Sequence, residues 1–344
     1  MTNYLFKWLK SKKQEKGRRA NTKCSPKYSR KGQSSCLPDW AIKQLALKYN
    51  TMYPEDPLIE MEQEKDDFFK FWEALNEKFR QKKICRDGDE KCWTRKLNPS
   101  LPKLVFDNST DSTLYQITPP STFETKFFAH SVPKKWKENI ESWLTNYDIQ
   151  NVMSQYMDKY EDFLFIGPVP NDFELEGTSE KCIVKELCPR VIHKFVKKWH
   201  EQKKTKIGVI FNTDPHDKAG AHWIAAFLNI DYSHPEVFFY DSYGIPPSLE
   251  ISTFLKRIAG ELEKDTGRKV PVKINMNRHQ FTGAQCGVYC IHFILSMLER
   301  PLVEDDSFEK YLSDTFSGGN RDEFMRNNRK LYWNWENDAL EQVK

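Results

Sequence analysis

Two stretches, AHWIAAFLNI at 221–230 and FFYDSYG at 238–244, decide how this chain is read. Each is a short apolar run bounded by turn-like sequence, DPHDKAG before the first and DYSHPE between them. With the apolar run Ile207–Phe211 just upstream, they read as three adjacent buried strands, 207–211, 222–230 and 237–240. His222 begins the second and Asp241 closes the third, which puts both side chains at one edge of the sheet. Working outward, Pro133–Tyr160 and Val184–Trp199 have helical spacing, the former through Trp136, Ile140, Trp143, Leu144, Ile149, Val152, Met153 and Tyr156. Downstream, Ile251, Phe254, Leu255, Ile258 and Leu262 make an amphipathic helix ended by Gly267, and Val270, Val272 and Ile274 alternate as a further strand. Then HQFTGAQCGVYCIHFILSML, from His279, passes from a polar loop into an apolar helix. The order predicts an α+β fold with one central mixed sheet flanked by helices.

The composition sets the outer limits. The chain has 344 residues, 39% hydrophobic and 30% charged, enough to bury a substantial core. Its net charge of +4 is unevenly spread: residues 1–31 hold 11 Lys/Arg and one acid, which leaves −6 for the remainder. A basic nucleic-acid-binding domain is therefore not expected; the basic leader instead suits contact with nucleic acid or a membrane surface. No apolar run reaches the length of a membrane span, and the N-terminus lacks the pattern of a secretory signal. The expected organisation is a basic, disordered leader (1–36), a mainly helical N-terminal region (37–125) and a catalytic domain (126–344). The loop composition between Asn98 and Thr122 marks the boundary, and helices are expected at 37–50 and 58–83. The eight cysteines show no C-x-x-C, which argues for free thiols and a reducing compartment. Cys182, Cys188, His193 and His200 have spacings unlike common zinc sets, so no metal is expected, nor any cofactor or small-molecule ligand.

Chemistry is expected where Cys286 sits, at the opening of the last apolar helix. A helix N-terminus favours a thiolate, the nucleophilic form. His222 is the natural base, and Asp241 the group that would orient its ring. Singly these residues say little. A cysteine among apolar residues is usually inert packing, as Cys290 one turn later is read, and an Asp before Ser-Tyr-Gly usually shapes a turn. His279 and His292 have the wrong spacing to replace His222. The set of three in this order is the specific signal.

The same segments, AHWIAAFLNI, FFYDSYG and HQFTGAQCGVYC, resemble the catalytic core of the SUMO-protease and adenain-type cysteine proteases, whose order is His, Asp or Asn, Gln, Cys. The resemblance covers about 133–300 and implies a papain-like core. It implies His222 as general base, Asp241 as its orienter, Cys286 as nucleophile and Gln280 as oxyanion-hole donor. SWLTNYDIQNVMSQY at 142–156 is similar to the family's Trp-Leu-Asn-Asp helix, which implies that Trp143 and Trp223 cover a narrow channel admitting Gly-Gly before the cut bond. Gln285 departs from the Asp common before the nucleophile in cellular members. FIGPVPNDF at 165–173 and NNRKLYWN at 327–334 look closer to the polyprotein-processing proteases of large cytoplasmic DNA viruses. What this implies is cleavage after Gly-Gly in structural polyproteins, in host cytoplasm and virions, where the virion core becomes a further partner for the basic leader. The alternatives are a deconjugase of SUMO- or ubiquitin-like modifiers and, more remotely, a non-catalytic binding module. A fourth, acyl transfer, lacks a phosphate cradle for its donor. Gly318-Gly319 is a candidate self-cleavage site, although paired glycines more often serve a flexible loop.

Overall fold

The computed structural model describes residues 23–30, 35–58, 68–99, 122–176, 182–300, 307–317 and 321–335. The expectations for 1–22, for most of the 98–122 loop and for Gly318-Gly319 fall outside these residues. The chain divides into two compact units, one formed by 1–24 with 28–100 and the other by 25–27 with 101–344.

Among its described residues the first unit contains three helices, α1 (Asp39–Met52), α2 (Phe68–Gln81) and α3 (Glu90–Leu97). Leu45 and Tyr49 of α1 pack with Leu75 and Phe79 of α2 and Trp93 of α3, all fully buried. Phe79 stacks on the Trp93 ring at 6.2 Å. The buried Glu90 carboxylate accepts from the Trp72 indole N–H at 2.6 Å and the Cys36 amide at 2.9 Å, so its polar atoms are met by donors.

In the second unit α4 (Phe123–Phe127), α5 (Lys134–Glu138) and α6 (Asn146–Lys159) lead to strand β1 (Phe163–Val169). There follow α7 (Ile192–Glu201), the strands β2 (Lys206–Asn212), β3 (Trp223–Asn229) and β4 (Glu236–Tyr240), and helix α8 (Leu249–Thr266). Strand β5 (Val272–Ile274), α9 (Cys286–Glu299), α10 (Phe308–Thr315) and α11 (Arg321–Tyr332) complete it. The five strands lie in sequence order, with β2–β3 and β3–β4 antiparallel and the outer pairs, β1–β2 and β4–β5, parallel. The sheet is mixed and helices cover both faces, as expected. Ala225 and Phe227 of β3 face the layer of α6 and α9, while Ile224, Ala226 and Leu228 face α7 and α8. Burial on both faces is why β3 reads as a continuous apolar run rather than an alternation.

Three features differ from the sequence reading. Strand β1 has no counterpart in it, because Gly167-Pro168 reads as a breaker; the register with β2 shifts between Ile166 and Val169, where the ladder needs no proline N–H. The helix expected across Pro133–Tyr160 is two. Thr145 caps α6, its hydroxyl accepting from the Asp148 amide at 3.3 Å while Asp148 accepts from the Thr145 amide at 2.7 Å. This reciprocal pair sets a helix start in the middle of the apolar periodicity. The free-thiol expectation also fails for six of the eight cysteines, which pair as Cys24–Cys36, Cys85–Cys92 and Cys182–Cys188. Each pair is close in the chain, 12, 7 and 6 residues apart, which a count of cysteines over the whole length does not detect. Only Cys286 and Cys290 remain free, both buried. Among the described residues no helix is long and apolar enough to cross a membrane.

Candidate active site

Antiparallel pairing sets the geometry of the site. Ala225 of β3 faces Tyr240 of β4, so the residue preceding β3, His222, and the residue following β4, Asp241, emerge at the same sheet edge. His222 Nε2 and Asp241 Oδ1 are 2.9 Å apart, with the side chains 14% and 5% exposed. Asp241 Oδ1 also accepts the Tyr243 amide at 2.8 Å, a second bond that fixes the carboxylate. Nε2 being taken, Nδ1 is the nitrogen left to serve the Cys286 thiol, which is near enough to the imidazole to raise its pKa. Helix α9 packs against β3 and starts at Cys286, which is buried beneath the His222 edge. Burial alone would push His222 down. The Asp241 hydrogen bond and then the Cys286 contact outweigh it and raise the imidazole to about 9. The structure thus brings His222, Asp241 and Cys286 together.

Gln280 is fully buried in the loop before α9. Its Oε1 accepts from Ser242 Oγ at 2.8 Å, and its Nε2 donates to the Gly283 carbonyl at 2.9 Å. The Gly283 carbonyl, which can only accept, fixes which end of the amide is which, and the second hydrogen of Nε2 stays available as a donor. Ser242 and Tyr243 were not among the sequence candidates; Tyr243 stacks on the His222 ring with centroids 4.7 Å apart. Their signal was their place beside Asp241 in FFYDSYG. His279 and His292, both buried, are weak bases. Burial, with Arg321 adding to it, pushes His279 down to about 4, and burial alone does the same for His292. Each is held by a tyrosine hydroxyl, Tyr240 at 3.2 Å and Tyr332 at 2.8 Å.

A cleft of about 600 Å³ opens beside His222, with Trp143, Thr145, Tyr147, Asn212 and Trp223 in its lining. The two tryptophans differ. Trp143 stands in the segment between α5 and α6, where the helix break leaves it 50% exposed. Trp223 is 5% exposed and donates its indole N–H to the Leu144 carbonyl at 3.1 Å. Gly287, just after Cys286, lies where an added Cβ would come within 3.2 Å of both the Trp223 ring and Leu144. That close packing accounts for glycine next to Cys286. The donor atoms of Glu176, Cys182 and Cys188 lie within 4.8 Å of one another, but the disulfide leaves neither sulfur as a thiolate ligand.

No protein-family model matches the chain. An inferred thiol protease of Acanthamoeba polyphaga mimivirus is 30% identical over 175 residues, covering 51% of this chain and 52% of that protein, so the match spans about half the length of that relative. A protein of African swine fever virus named as a SUMO-1 cysteine protease is 22% identical over 229 residues, 61% of this chain and 82% of that one. The crystal structure of the African swine fever virus protease superposes with a TM-score of 0.52 at 18% identity, covering 92% of this chain and 97% of that one. The fold is the one seen in that viral protease, and in sequence the chain is a relative of viral thiol and cysteine proteases.

Proposed function

We propose that this protein is a cysteine endopeptidase that cuts after Gly-Gly in a protein substrate, a viral structural polyprotein. The observation that carries the reading is the Cys286–His222–Asp241 arrangement at one sheet edge, with the thiol at a helix N-terminus. In the cycle, the Cys286 thiolate attacks the carbonyl carbon of the scissile bond. The oxyanion is met by the Cys286 amide and the Gln280 side chain. The C–N bond then breaks as the His222 imidazolium gives its proton to the leaving amine. Water, deprotonated by His222, hydrolyses the thioester, which releases the glycine carboxylate and restores Cys286. The two tryptophans lining the cleft beside His222, Trp143 and Trp223, favour an extended substrate without side chains next to the cut.

The name of the African swine fever virus relative favours a second reading, removal of a SUMO-like modifier by the same chemistry. The purified protein should be incubated with a Gly-Gly-X peptide and, separately, a SUMO conjugate, with iodoacetamide treatment and Cys286→Ala as controls. Cleavage of the peptide after the second glycine, lost in both controls, is expected. Cleavage of the conjugate alone would move the assignment to the second reading, and cleavage of neither would remove the protease assignment.

A further inference from the structure

Arg329 lies on α11 with its side chain at 0% exposure, an expensive place for a guanidinium unless its hydrogen bonds are specific. Nε donates to Gln285 Oε1 at 2.8 Å, and Nη2 donates to the Ser142 carbonyl at 2.6 Å and the Ala284 carbonyl at 3.4 Å. The guanidinium also stands 4.5 Å over the Trp136 ring. Nη1 has no hydrogen-bond partner among the described residues. Gln285 extends the connection, its Nε2 donating to Glu141 Oε2 at 2.9 Å, and Glu141 is paired in turn with Arg326. Gly283, at φ +72°, completes the arrangement. A Cβ there would lie 2.4 Å from Glu141 Oε2, so only glycine lets the carboxylate come this close to the loop.

Two segments are therefore clipped together by one side chain. One is 141–144, which carries Trp143 and whose Leu144 carbonyl receives the Trp223 indole. The other is 280–286, which ends on the nucleophile. We infer that Arg329 is a positioning residue that holds the oxyanion loop, through Gln285 and the Ala284 carbonyl, against the Trp143 wall of the cleft. This rests on the protease reading above. It also explains why glutamine precedes Cys286. A carboxylate at 285 would face Glu141, whereas an amide offers an acceptor to Arg329 and a donor to Glu141 at once. Arg329 touches no reacting atom and acts only through the loop. The charged and ionisable groups around it are Glu141, Asp148, Cys286 and Arg326, and burial pushes it down to about 10, which leaves it protonated at neutral pH.

The test compares the full-length wild type with R329K and R329M in three measurements: Gly-Gly-X peptide kinetics, the rate of iodoacetamide alkylation at Cys286 by mass spectrometry, and thermal melting. Alkylation needs the thiolate but no oxyanion hole, so it separates the two parts of the site. R329M is expected to lose about 100-fold in kcat with KM within about threefold of wild type. R329K, which keeps the charge but not the planar fork, is expected to lose about tenfold. Both should be alkylated at close to the wild-type rate. Wild-type kcat in R329M would overturn the inference, as would full activity in R329K, since charge alone would then suffice. Alkylation falling in parallel with kcat would also overturn it, because the nucleophile rather than the loop would have been disturbed. If R329M does not fold, R329K decides by the same criteria. An active wild type with unaffected variants refutes this inference and leaves the protease reading standing, whereas an inactive wild type removes both.

Discussion

At the scale of single residues, the imidazole of His222 controls the expected pH behaviour. Its pKa is raised from 6.5 to about 9, chiefly through the Asp241 hydrogen bond, which overcomes burial. The imidazolium is then the prevailing form through neutral pH, and kcat/KM should fall on the basic side with a midpoint near 9. Asp241→Asn should bring that limb down toward ordinary imidazole values and cost at least about 100-fold in kcat. A basic limb left in place by Asp241→Asn would show that another group sets it. The linked stability has a definite sign. Because the folded pKa lies above the unfolded one, the stabilisation is complete below pH 6.5 and is lost as pH rises through 9. The melting temperature of wild type relative to His222→Ala should decline across that interval. The two tryptophans form a second pair of tests. Trp143→Ala removes an exposed ring and should lower turnover with a stability change within about 0.5 kcal/mol. Trp223→Ala removes a buried one and should cost about 3–5 kcal/mol as well, so it cannot separate catalysis from folding.

At the scale of elements, the ends matter more than the middles. His222, Asp241 and Cys286 were legible in the sequence because each stands where an apolar run begins or ends, and those boundaries are what hydrophobic patterning marks best. The break between α5 and α6 was not. Apolar spacing runs on through Leu144 and Ile149, and the Thr145-x-x-Asp148 signature lies within it. Yet the break is what frees Trp143 to line the cleft. Thr145→Ala should cost about 1 kcal/mol in thermal or denaturant unfolding. It should also raise KM for the peptide, since Trp143 lies two residues from the lost cap; an unchanged KM would mean that the wall is held elsewhere. Arg329 was illegible for another reason. Its partners Gln285 and Ser142 lie 44 and 187 residues away, and no local pattern records a side chain that reaches across that much chain.

At the scale of the whole molecule, six of the eight cysteines are joined in disulfides, and the two left as thiols share one helix. Iodoacetamide applied to the denatured, unreduced protein should therefore add two labels, rising to eight after reduction. Eight labels before reduction would show that the disulfides are not formed in the isolated protein. The loops they close are short, with cysteines 12, 7 and 6 residues apart, and each bond should contribute about 2–3 kcal/mol. Reduction should lower the melting temperature while leaving Cys286 a thiol. The uneven charge of the chain is a separate matter: the basic surplus lies in residues 1–31, mostly outside the described structure, and the proposed catalytic residues belong to the acidic remainder.

The strand order has a consequence for synthesis. Because β2, β3 and β4 are consecutive and pair with their immediate neighbours, the His222–Asp241 pair depends on contacts that are short in sequence and quick to form. Cys286 follows Asp241 by 45 residues, and Arg329 comes another 43 residues later. A ribosome-bound chain would therefore carry the proposed base and its orienter before it carries the thiol for them to activate. The proposed ability to cut would rise only as α11 emerges, a delay in onset written into the topology.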